Sequence, residues 1–141
     1  MGNIIKVFQF NSNETANLMK PIIFCSPPKE IEDLAVSINI PLAKEFQKQS
    51  STMMRTMRLE NNLQIVLETL GDNPVIKDFD VLFNPSYQTD VIKSLINVYR
   101  RKKFCAIWPG RYENGRLYYA EEGYQDYKIY DIANYDITVV I

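Results

Sequence analysis

The chain has 141 residues, 46% of them apolar, and a formal net charge of −1. That is enough for one domain with a real core, and it provides no global field to draw the chain to nucleic acid or an anionic membrane. Histidine is absent, which excludes His-based acid–base catalysis and Ser-His or Cys-His nucleophiles, and with two cysteines, Cys25 and Cys105, a structural zinc site has too few ligands.

Ile4, Ile5, Phe8 and Leu18 suggest a loosely amphipathic opening helix, interrupted near Asn11-Ser12-Asn13. Pro21 to Cys25 is a short apolar run before Ser26-Pro27-Pro28, as a buried first strand requires. Lys29 to Ala35 reads as one or two helical turns, and Val36 to Ile40 alternates as a second strand. A helix follows from Pro41, with proline in its first turn. Ser50-Ser51-Thr52 then breaks the chain, and Met53 to Leu70 keeps helical spacing up to Gly71.

Val75 to Phe83 is expected as the third strand, stopped by Asn84-Pro85-Ser86. The next helix opens at Asp90, buries Val91, Leu95 and Val98 and exposes Lys93, Asn97, Arg100 and Arg101. Phe104 to Trp108 is the fourth strand, ended by Pro109-Gly110. Asn114-Gly115 between two strand-like pieces signals a two-residue hairpin. The Tyr- and acid-rich tail closes with Ile137 to Ile141, a last strand.

These elements predict a single α/β domain over residues 1–141, a mainly parallel sheet flanked by helices with a C-terminal hairpin or flap. No run reaches the roughly 20 apolar residues of a membrane span. Met1-Gly2 resembles a myristoylation start, yet Lys6 stands where Ser or Thr is required. No secretory segment is evident, and both cysteines lie in apolar strand-like runs, so a reduced, cytoplasmic protein is expected.

Ligands of parallel sheets bind where strands end, so the residues after each strand are the candidates. A phosphate loop needs glycines, a lysine and Ser/Thr. After the first strand stand Cys25-Ser26-Pro27-Pro28-Lys29-Glu30, with Lys29 but no glycine, and two prolines that remove donors. Asp78 and Asp80 on the third strand are candidate magnesium ligands, although the apolar run follows them instead of preceding them. Lys29, Asp78 and Asp80 together form a nucleotide-binding reading that would bring ATP and magnesium.

Arg100, Arg101, Lys102 and Lys103, with Arg111 beyond the next strand, form a DNA-contact reading. A helix C-terminus accounts for cations there as well, and strand polarity sends Arg111 to the opposite sheet edge. Tyr118, Tyr119, Tyr124, Tyr127 and Tyr130 suit a protein interface; they suit equally a flap whose rings pack on the sheet.

Several scattered positions carry a resemblance. Leu82-Phe83, Pro85, Asp90, Arg100, Trp108-x-Gly110, Leu117-x-Tyr119-Ala120, Gly123 and Asp126-Tyr127, with Ser37 to Phe46, resemble the small P-loop-like component (BrxF-like) of type-three BREX phage-defence systems. The likeness covers about half of the chain. It implies a truncated P-loop NTPase-like fold and a bacterial, cytoplasmic antiviral role beside other subunits. That family usually carries a Gly-rich GKT loop and a third-strand acid. Here Ser26-Pro27-Pro28-Lys29 resembles a shortened remnant, and Lys77 occupies the Walker B position. The expectation is a non-catalytic subunit without cofactor, acting through protein contacts. An ATP-binding or ATP-hydrolysing module and a DNA-contacting subunit are the alternatives.

Overall fold

Apolar runs too short for helices become the parallel strands, and the longer amphipathic stretches pack against them. The computed structural model describes residues 1–10 and 19–141. The strands are β1 (Asn3–Ile5), β2 (Ile22–Phe24), β3 (Val36–Ser37), β4 (Val75–Lys77), β5 (Cys105–Ile107), β6 (Arg111–Glu113), β7 (Arg116–Tyr119), β8 (Lys128–Asp131) and β9 (Thr138–Val140). The helices are α1 (Lys29–Leu34), α2 (Asn39–Gln47), α3 (Thr52–Met57), α4 (Leu59–Glu68) and α5 (Val91–Tyr99). Among the described residues, six strands form a wholly parallel sheet in the order β1-β9-β2-β5-β4-β3, and β6-β7-β8 form a small antiparallel sheet.

Strand alternation decides what each face buries. Ile23, Ile76, Ala106 and Val139 join the large core with Leu42, Leu63, Leu67 and Leu95 of α2, α4 and α5. Their neighbours Ile22, Phe24, Val75, Cys105 and Val140 turn to the other face, against Ile31 of α1 and the partly buried Ile5, Val7 and Phe10. Burial on both faces is why these strands read as unbroken apolar runs. Each fully buried Leu or Val contributes roughly 1.5–3 kcal/mol, so the larger core carries most of the stability.

The α/β class and the parallel sheet flanked by helices match the expectation, while several boundaries differ. The opening helix is replaced by β1 and a 3-10 turn at Val7–Gln9; Asn11 to Asn13 and Leu18 lie outside the described residues. β1 pairs with β9 in register Asn3↔Thr138, and the Thr138 hydroxyl donates to Asn3 Oδ1 at 3.0 Å. The second strand stops at Ser37, and α2 starts at Asn39, two residues ahead of Pro41.

The long helix expected over Met53 to Leu70 is broken at Arg58 into α3 and α4, with the Ser51 hydroxyl capping α3 through the Met54 amide. The third strand ends at Lys77, because Asp78 turns to a positive φ of 54° and residues Asp80–Phe83 form a 3-10 turn.

The hairpin is as expected. Asn114 and Gly115 both take positive φ, 50° and 80°, the backbone of a type I′ turn. Cys25 and Cys105 are free thiols. Cys105 pairs in register with Ile22, three residues before Cys25, so the two cysteines are too far apart along neighbouring strands for a disulfide. Burial pushes both thiols up to about 12. No helix among the described residues is long and apolar enough to cross a membrane.

Candidate functional site

All strands of the large sheet run the same way, so their carboxyl ends share one edge. There the chain places Cys25 to Lys29 after β2, Asn39 after β3, Asp78 and Asp80 after β4, and Trp108 to Gly110 after β5. The fold thus brings Lys29 to the same edge as Asp78 and Asp80. One strand, β5, separates β2 from β4, which puts their axes about 10 Å apart.

The turn after β2 has little to offer an anion. The amides of Cys25 and Ser26 both donate to the Val140 carbonyl, at 2.8 and 3.3 Å. Pro27 and Pro28 have no N–H to give. The next donors open α1, a six-residue helix with Glu30 and Glu32 in its first turn. Lys29 and Glu30 are exposed. A phosphate loop works by converging several free amides on one centre. Here two of the four positions from Cys25 to Pro28 are spent on the sheet, and the other two are prolines.

The acids are no better placed. Asp78 is exposed, in a left-handed turn. Asp80 is half-buried and already shared: its Oδ2 accepts from the Tyr119 hydroxyl at 2.9 Å, and its Oδ1 accepts from the Asn39 amide at 3.4 Å. Asn39 Oδ1 in turn accepts from the Val81 N–H at 3.1 Å. A chain of hydrogen bonds therefore ties β7, the segment after β4 and the start of α2. No group of three or more His, Cys, Asp or Glu suited to a metal ion occurs among the described residues.

The small sheet closes the remaining part of this edge. Trp108 Nε1 donates to the Tyr118 carbonyl at 2.9 Å. A Cβ on Gly110 would lie 1.9 Å from that same oxygen, so only glycine permits this approach. Phe83 and Tyr119 stack with centroids 3.7 Å apart and planes 7° from parallel. Trp108 meets Phe83 and Tyr130 edge-on. At the far end of the flap, the Tyr135 hydroxyl donates to Asp90 Oδ2 at 2.7 Å, while Asp90 Oδ1 caps α5 through the Lys93 amide. The two carboxylates, Asp80 and Asp90, thus clamp the tyrosine tail to the main body.

Among the expected docking tyrosines, Tyr119 and Tyr130 are buried core residues. That corrects their assignment: their rings face inward from β7 and β8. Tyr118 and Tyr127 are half-buried and Tyr124 is exposed. Burial, then the Asp80 hydrogen bond, pushes the Tyr119 hydroxyl well above the usual tyrosine range. Burial raises Tyr130 and Tyr135 similarly, with Asp90 adding to both.

The basic set is divided. Arg101 pairs with Glu60 at 3.4 Å and donates to Gln64, and Lys102 donates to the Gly71 carbonyl. Arg100 and Lys103 are exposed. Arg111 lies beyond β5 at the other sheet edge, 4.5 Å over the Tyr118 ring and 3.7 Å from Glu121. It therefore forms no surface with Arg100 to Lys103. Sequence reasoning missed the Asn39–Asp80–Tyr119 chain, whose members are 39 to 41 residues apart and carry no local signal.

Comparison of the chain with protein-family models, with curated proteins and with solved structures gives no match.

Proposed function

We propose that this chain is a non-catalytic, nucleotidase-like subunit that works through protein contacts in a bacterial anti-phage defence complex. The observation that carries the non-catalytic part is the turn after β2, whose amides at Cys25 and Ser26 are spent on Val140 and whose next two residues are prolines. Asp80, held by Tyr119 and Asn39, adds to it. A truncated P-loop-like ancestry is supported by the position of β2 inside the sheet, between β9 and β5. Its turn opens onto an edge where crossovers leave in opposite directions, the usual ligand position of such sheets. The defence setting rests on the sequence resemblance.

The surfaces offered to other subunits are α3 and the tip of the flap. No residue of α3 is buried, and it exposes Met53, Met54 and Met57 at 72, 44 and 72%. Methionines of this kind form adaptable contact surfaces. Tyr124, 69% exposed, stands on the acidic loop before β8.

Isothermal titration with ATP, with and without magnesium, is the test. No binding heat is expected, and the chain is expected to co-purify with proteins encoded beside it until Met53 and Met57 are changed to Glu. Micromolar ATP affinity that is abolished by Lys29→Ala would reject the proposal.

A further inference from the structure

Independently of that reading, we infer that the exposed side of α5 and the turn leading to β5 form a contact surface for the phosphate backbone of nucleic acid, built from Lys93, Arg100 and Lys103. These three are exposed and form no ion pair among the described residues. Lys93 and Arg100 line one depression of about 240 Å³ together with Asn97 and Asn134. Arg100 also lines the adjoining one of about 230 Å³, with Lys103. The cations therefore follow one line, Lys93 to Arg100 to Lys103, with Arg100 shared. Seven helical residues separate the first pair by about 10 Å along the axis, a span of one to two phosphates of a nucleic-acid strand.

Ordinary structural reasons account for the neighbouring cations and not for Lys93. Arg101 serves Glu60, Lys102 serves Gly71, and Lys20 serves Asp136 and the Met1 carbonyl. A helix C-terminus draws cations, which explains a basic residue at position 100. Lys93, however, lies in the first turn of α5, where the helix dipole disfavours a positive charge. The acids facing this line are already engaged: Glu60 by Arg101 and Asn97, Asp136 by Lys20 and the amino terminus. The overall charge of −1 thus conceals a local excess of cations. The three side chains on this line are all cations, so the contact is with backbone charge and not with bases.

Fluorescence anisotropy of a short, labelled, mixed-sequence DNA duplex, titrated with the full chain over a salt series, tests this. Three neutralised phosphates give a slope of log affinity against log salt of about −2 to −3. Combined Lys93→Gln, Arg100→Gln and Lys103→Gln is expected to lower affinity at least about tenfold at low salt, with circular dichroism unchanged. Arg111→Gln, on the opposite edge, is expected to bind like the parent chain. Absence of binding at low salt overturns the inference, as does a salt-insensitive affinity or a triple variant that binds normally. So does binding confined to anionic phospholipid vesicles, measured by co-sedimentation.

Discussion

Asp80 divides its two oxygens between Asn39 and Tyr119, so each is already hydrogen-bonded within the protein. The hydroxyl it holds is equally constrained. Burial and the Asp80 bond keep Tyr119 protonated above the normal range, and Tyr130 and Tyr135 behave alike. The folded chain therefore binds these protons more tightly than the unfolded chain. Their contribution to stability is complete below the unfolded tyrosine pKa of about 10 and is lost as pH rises above it. Tyr119→Phe removes one hydrogen bond to a carboxylate, at a cost of about 1–2 kcal/mol near neutral pH, and flattens the alkaline fall. Urea midpoints across a pH series measure both effects. Identical alkaline slopes for the parent and Tyr119→Phe would show that the fold does not hold the Tyr119 proton as described.

Elements specified by neighbouring residues were legible from sequence. Asp90 opening α5 and Asn114-Gly115 turning the hairpin each act within three residues, and both are found as expected. The apolar runs at Ile22–Phe24 and Cys105–Ile107 were legible because burial on two faces leaves no polar alternation to misread. β1 was not legible. Asn3 meets Thr138, 135 residues away, and that pairing overrides a weak helical spacing. The third strand was read too long because nothing in Val75 to Phe83 announces that Asp78 takes a left-handed turn. The inward and outward tyrosines of β7 and β8 were likewise indistinguishable, since Tyr118 and Tyr119 differ only by strand parity. Gly110 belongs to this scale, because it sets how closely the small sheet meets Trp108. Gly110→Ala drives a Cβ into the Tyr118 carbonyl and is expected to cost about 1–3 kcal/mol or more, with loss of near-ultraviolet signal from Trp108. Full retention of both the midpoint and that signal would show that the approach is looser than described.

Across the whole molecule, the carboxyl edge of the parallel sheet is the position where such folds receive ligands, and this chain fills it with itself. The turn after β2 spends its amides on β9, the acid after β4 holds the flap, and the flap covers the end of β5. Away from that edge the molecule exposes methionines on α3 and, beside α5, cations that form no ion pair among the described residues. The amide spectrum of the 15N-labelled chain, followed while MgATP is added to millimolar concentration, tests this closure most directly. The expected result is that the resonances of Cys25, Ser26, Lys29 and Glu30 stay where they are. Saturable shifts centred on those four amides would mean that the edge opens to nucleotide and would contradict the account.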